Sequence, residues 1–197
     1  MATYRPNVAA ILRNPETGRI FIGERIDHRG SWQFPQGGVD PGEDLISALH
    51  REVEEEIGIG KQFYQLIACR TDYRYKFPGG KLKKGRYCGQ TQTYFLCDFT
   101  GRDEDINLAT HVQEFSQFRW IDPHEFDLGW VPRFKRPVFL RVFRDFFGIR
   151  RLGKTPKKVA RTARKTAKKA AKKAGRKRSG RSTSEPSSGI SELTSTK

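Results

Sequence analysis

Four glutamates stand within five positions in the stretch Arg51-Glu52-Val53-Glu54-Glu55-Glu56-Ile57-Gly58. A helix advances about 100° per residue. With Glu52 set at zero, Glu55 falls at about 300° and Glu56 at about 40°, so the three share one arc, while Glu54 points away at about 200°. Leu49, Val53 and Ile57 occupy the adjoining arc and form a stripe that faces a core. Carboxylates at the border of a buried face repel one another and lose hydration, which is costly unless a cation joins them. Mg²⁺ suits that role, because it takes oxygen ligands and joins a few carboxylates to water and substrate phosphates. Arg51, one turn before Glu55, is placed to orient that carboxylate. An acidic run alone would also suit an amphipathic surface helix with a solvated end. The surrounding residues separate the two readings.

Gly37, Gly38 and Gly42 precede the helix, in a loop that they allow to run close to its acidic face. From Gly37 to Ile59 the chain fits G-x5-E-x7-R-E-U-x-E-E-x-G-U, where U is a large aliphatic residue. The matching positions are Gly37, Glu43, Arg51, Glu52, Val53, Glu55, Glu56, Gly58 and Ile59. Average residue frequencies give such a match by chance in roughly one chain in ten million. The segment resembles the signature of the Nudix hydrolase family. That resemblance implies an α/β/α sandwich with a mixed sheet, and hydrolysis of a nucleoside diphosphate linked to another group. It also implies Mg²⁺ or Mn²⁺ bound mainly through Glu52, Glu55 and Glu56, with Glu43 and the glycines shaping loop and helix.

More specific text surrounds the signature: "YRPNV" at 4–8, "SWQFPQGG" at 31–38, "GQTQTYF" at 89–95, "EFSQFRW" at 114–120 and "FKRPVF" at 134–139. Over about residues 4–148 the chain resembles the bacterial RNA 5′-pyrophosphohydrolases and the related dinucleoside polyphosphate hydrolases. The resemblance implies removal of pyrophosphate from 5′-triphosphorylated RNA to leave a 5′-monophosphate, a step that could initiate RNA decay. Hydrolysis of diadenosine tetraphosphate is the alternative within that class, and an inactive nucleic-acid-binding module is the alternative outside it. By the same resemblance Glu114 completes the metal shell, Arg5 and Arg25 contact phosphates, Phe134 stacks a base and Lys135 touches the RNA backbone. Phe134 fits equally well as a core residue of a phenylalanine-rich last helix. The implied reaction is substitution at phosphorus, with metal ions lowering the pKa of a water and Glu55 or Glu114 taking its proton. Pyrophosphate could leave whole or as two orthophosphates.

These groups need elements to hold them. "NVAAIL", "RNPETG" and "RIFIGER" read as strand, turn and strand. "GSWQFPQGGVDPGED" reads as a loop, and a helix follows from about Glu43 to Ile57, capped by Asp40 or Gly42 and stopped by Gly58. "QLIACRTDYRYKF" and "TQTYFLCDFT" read as strands around a basic loop, "PGGKLKKGRYCG". "FRWID" reads as a short strand. "PRFKRPVFLRVFRDFFG" has helical spacing of apolar residues from Phe134 to Phe147, with Pro137 near its start and Gly148 as its stop.

The net charge of +16 over 197 residues is unevenly spread. Residues 150–197 carry 17 Lys and Arg against 2 Asp and Glu, and residues 1–149 carry 21 against 20. The chain therefore divides into a near-neutral catalytic domain, 1–149, and a Lys/Arg/Ala-rich tail, 150–197, whose charge predicts disorder in water. Such a tail would bind RNA or another polyanion without sequence preference, through counterion release. Cys69, Cys88 and Cys97 show no paired spacing and suit a reducing compartment. The first residues lack a signal-peptide core, and no segment approaches the ~18 apolar residues of a membrane span. A cytoplasmic protein without a membrane partner is expected.

Overall fold

Val8–Leu12 is an unbroken apolar run, as a strand buried on both faces must be. All five residues are at most 1% exposed. They lie in β1 (Thr3–Arg13), at the centre of a seven-stranded mixed sheet in the computed structural model, which describes residues 3–111 and 113–153. β1 pairs in parallel with β6 (Tyr87–Phe99), and β6 pairs antiparallel with β5 (Tyr64–Lys76). On the other side the chain returns as β2 (Ile20–Arg25), joined at Arg13 and Ile20, while β4 (Gln36–Gly38) runs antiparallel to Asn7–Ala9. β2 also carries β3 (Trp32–Gln33) and β7 (Phe115–Ile121), both antiparallel.

Alternation along β1 sends its side chains to two cores. Val8, Ala10 and Leu12 pack with Leu49, Val53 and Ile57 of α1 (Leu45–Ile57). Ala9 and Ile11 pack in the other core with Val138, Phe139, Val142 and Phe143 of α2 (Arg136–Phe147). Helices thus cover both faces of the sheet, the α/β/α sandwich that the resemblance implied. Ile149 and Leu152 extend the α2-side core beyond the Gly148 stop.

Several boundaries differ from expectation for local reasons. α1 starts at Leu45 and is capped by Asp44, not by Asp40 or Gly42. The Asp44 carboxylate accepts the N–H groups of Ile46 and Ser47, two donors that a helix start leaves open. The Gly/Pro-rich loop contains β3 and β4, because its backbone finds partners on β2 and β1. β6 begins at Tyr87, so the basic loop is shorter than its composition suggested; Lys83 and Tyr87 close it by a bridge. Phe134 precedes α2 in a single 3₁₀ turn, Arg133–Lys135, and is not on the helix itself. Residues 154–197, on which the expected disordered tail falls, lie outside the described residues. No helix among the described residues is long and apolar enough to cross a membrane.

Candidate active site

β4 crosses the acidic edge of α1 at very short range. A Cβ at Gly37 would lie 1.8 Å from Glu52 Oε2, and one at Gly38 would lie 1.8 Å from the Arg5 guanidinium. A side chain at either position would displace the end of Glu52 or of Arg5, whereas Gly42 is required by its φ of +83°. Arg51 ties loop to helix. Its Nε and Nη2 donate to the two oxygens of Glu43 at 2.9 and 2.8 Å, and Nη2 donates also to Gly38 O at 2.9 Å. Nη1 donates to Glu52 at 2.8 Å and to Glu55 at 3.3 Å. The anticipated contact with Glu55 is therefore present but is the longest of five. Gly58 ends α1 with φ 68°, its N–H bonded to Glu54 O.

The acidic residues of α1 occupy unlike surroundings. Glu56 is only 6% exposed and accepts the Gln36 N–H at 3.0 Å. Burial pushes its carboxyl well above the usual carboxylate range, against that hydrogen bond, and the charges of Glu114 and Glu52 push the same way. Burial raises Glu52 too, with Arg51 opposing. Glu55 is exposed and turns outward, lining a separate cavity of about 720 Å³ with Arg51, Glu54, Thr110 and His111. Glu114 comes from the loop before β7. Its carbonyl oxygen accepts the Ile26 N–H at 3.0 Å, which fixes that loop to the end of β2, and its carboxylate lies 3.7 Å from Arg25.

A cleft of about 510 Å³ gathers Glu52, Glu56 and Glu114 with Arg5, Arg25, Phe134 and Lys135. These seven residues, all singled out in the sequence, share one space and are drawn from β1, β2, α1, the loop before β7 and the turn before α2. Glu43, Arg51 and Gly58 stand behind it as supports. The Phe134 ring packs on the α2-side core, lines the cleft and tilts against Tyr75 with centroids 5.4 Å apart. The Lys135 ammonium sits 5.3 Å over the Tyr75 ring; burial, with Arg25 and Lys83 adding, pushes its pKa down to about 8.

Sequence reasoning missed Tyr75, Lys83, Gln33, Gln36 and Gln90, which also line the cleft. Tyr75 bonds through its hydroxyl to the Gln90 side chain. Behind them the buried Gln92 donates to Asn7 at 2.8 Å and to Gln36 at 2.6 Å. The signal for Gln90 and Gln92 was present in "GQTQTYF": glutamine recurs at a period of two on a strand otherwise largely buried, where an amide must find a partner.

Residues 3–142 match the family model described as the NUDIX domain. The chain belongs to the Nudix family. It is 45% identical over 151 residues to an RNA pyrophosphohydrolase of Erythrobacter litoralis, covering 73% of this chain and 90% of that one. It is 43% identical over 150 residues to the RNA pyrophosphohydrolase of Novosphingobium aromaticivorans, covering 73% and 92%. Among solved structures, a C. elegans Ap4A hydrolase in a binary complex superposes with a TM-score of 0.54 at 20% identity, over 74% of this chain and 99% of that one. That last likeness is one of fold.

Nudix hydrolases generally work with divalent metal ions, and the donors of this Nudix chain fit such an ion in kind. Glu52, Glu56 and Glu114 offer oxygen alone, the ligand that hard cations take. The raised carboxyls of Glu52 and Glu56 follow first from burial, which disfavours the charged form of a carboxylate. Among the described residues no group of three or more His, Cys, Asp or Glu is already poised to hold an ion. Each carboxylate is instead engaged by its own partner: Glu52 by Arg51, Glu56 by Gln36, Glu114 by Arg25.

Proposed function

We propose that this Nudix hydrolase removes pyrophosphate from the 5′ end of triphosphorylated RNA and leaves a 5′-monophosphate. One observation carries the reading: a single cleft joins a carboxylate wall to four cationic side chains and an aromatic pair. The carboxylates suit metal and water, the cations suit a polyphosphate, and the aromatic pair suits a nucleobase. The names of the curated relatives point the same way.

Glu52, Glu56 and Glu114 would hold Mg²⁺ or Mn²⁺, which supplies positive charge at the phosphate oxygens and acidifies water. Arg5, fixed beneath Gly38, and Arg25 grip the polyphosphate by charge-assisted hydrogen bonds. Phe134 presents its ring to the first bases, worth roughly 1–3 kcal/mol for each one stacked. Lys135 donates to the adjoining backbone. A carboxylate takes the proton of the attacking water; Glu114 is favoured over Glu55 by lying inside the cleft. Water's oxygen bonds to phosphorus, the phosphoanhydride bond breaks, and pyrophosphate leaves. The catalytic unit is residues 1–149, and the basic segment 150–197 adds sequence-independent contact with RNA in the cytoplasm.

Triphosphorylated RNA and diadenosine tetraphosphate, each supplied at equal concentration with Mg²⁺, test the proposal by their kcat/KM values. RNA should exceed the dinucleotide by an order of magnitude or more. A reversed ranking assigns the cleft to dinucleoside polyphosphates, and turnover of neither would leave a binding module.

A further inference from the structure

A second depression, of about 360 Å³, adjoins the cleft and shares His28, Ser31 and Pro132 with it. Its remaining lining includes Arg29, Arg133 and Arg136 and no carboxylate. Arg29 and Arg133 are exposed, and neither side chain makes a hydrogen bond or an ion pair among the described residues. Arg29 acts electrostatically on Glu24, whose carboxylate is already occupied by the Gly30 N–H and the Gln117 amide. Three guanidinium groups without acidic neighbours in the same depression repel one another, and an anion relieves that repulsion.

The floor is rigid. Ser31 Oγ donates to Trp130 O at 2.9 Å, which joins the β2–β3 turn bearing Arg29 to the segment bearing Arg133. Arg119 packs against both Trp32 and Trp130, at 3.6 and 4.9 Å from their ring centroids, in the angle between the two rings. Arg133 directly precedes Phe134 and Lys135 of the cleft, and Pro132 lines both spaces, so the depression adjoins the cleft on the side where Phe134 stands.

Resting on the RNA reading above, we infer that Arg29, Arg133 and Arg136 form an exit track for the phosphodiester backbone of nucleotides downstream of the cleft. The track grips phosphates and reads no base. It would make the enzyme favour a 5′-triphosphorylated strand of several nucleotides over a dinucleotide with the same first two bases, and it offers nothing to a substrate lacking a 3′ extension.

The experiment uses the full chain and the double variant Arg29→Ala/Arg133→Ala, two exposed positions whose loss leaves the core intact. Triphosphorylated RNAs of two and of five nucleotides, sharing their 5′ sequence, are compared by kcat/KM with Mg²⁺ at low salt. The unaltered enzyme should prefer the pentamer by about five-fold or more. The double variant should hydrolyse the dinucleotide at the original rate and lose most of that preference. Preference kept in the variant, absent in the unaltered chain, or an equal fall on both RNAs would each overturn the track. Fluorescence anisotropy with 5′-monophosphorylated oligomers of the same two lengths reads the same ratio in binding. A chain that hydrolyses no RNA would thus defeat the proposed function while the track is still judged by its affinity ratio.

Discussion

α1 and α2 are nearly equal helices, 13 and 12 residues, on opposite faces of one sheet, each stopped by a glycine in the left-handed region. Their interfaces differ in kind. On the α2 side Phe34, Phe126, Phe139 and Phe143 stack with centroids 4.7–6.0 Å apart and need nothing further. On the α1 side the helix buries Glu56 and much of Glu52 beside a strand whose glycines leave room for the Glu52 and Arg5 side chains. One face settles its own interactions. The other holds charges that a cation and a polyphosphate would complete, while Tyr75 and Phe134 of the α2-side core line the same cleft.

The comparison breaks most visibly at Glu56. Glu56→Gln keeps the shape and the hydrogen bond from Gln36 while removing the buried charge. Hydrolysis should fall by about a hundred-fold or more, as expected when one of the carboxylates that would hold the metal is lost, and thermal unfolding with a chelator present should occur at an equal or higher temperature. A large fall in Tm would mean that the charge serves the fold. The converse test is Phe143→Ala on the α2 side, expected to cost about 3–5 kcal/mol in denaturant unfolding. Activity per folded molecule should change little, because Phe143 does not line the cleft.

The same contrast explains what the sequence revealed. The apolar runs of β1 and α2 and the stop glycines were legible because burial and backbone conformation write themselves into residue type. The Glu52–Glu55–Glu56 arc was legible because a helix converts spacing into direction. Direction is not environment, however: Glu55 and Glu56 are neighbours in sequence, yet one is solvated and the other enclosed. What encloses Glu56 is β4, a three-residue strand whose pairing with β1 no local pattern announces. Asp44 was missed as the cap because Asp40, Gly42 and Asp44 carry similar chemistry, and only the backbone path chooses among them. Tyr75 and Gln90 were missed because they reach the cleft from paired strands, β5 and β6, through a register set by long-range contact.

Gly37 tests whether the short approach of β4 matters to chemistry or only to folding. Its backbone is not in the left-handed region, so Gly37→Ala incurs no conformational penalty. The added Cβ meets the end of the Glu52 side chain, the part most able to move aside. The fold should therefore persist, with unfolding shifted by about 1 kcal/mol or less. Glu52 would be displaced from the cleft, and activity should fall by about ten- to a hundred-fold, in proportion to a misplaced catalytic group. Near-normal turnover in a folded Gly37→Ala protein would remove Glu52 from the reactive set.

The smallest effect expected lies at the other wall. The Lys135 ammonium, held down to about 8 by burial and by Arg25 and Lys83, loses its charge as the pH rises past that value, two and a half units before an exposed lysine would. The unfolded chain keeps its lysine protonated across that window and binds more protons than the folded one, so this group makes stability rise slightly with pH. Substrate binding should move in the opposite sense. Between pH 7 and 9 the KM for RNA should rise by about two- to five-fold as one contact to an anion weakens, with kcat moving less. Lys135→Arg, whose guanidinium stays charged, should flatten that rise, whereas Lys135→Met should show the higher KM already at pH 7. If all three proteins share one KM profile, the titrating group belongs to the carboxylate wall, and the aromatic side of the cleft has no electrostatic part in holding the substrate.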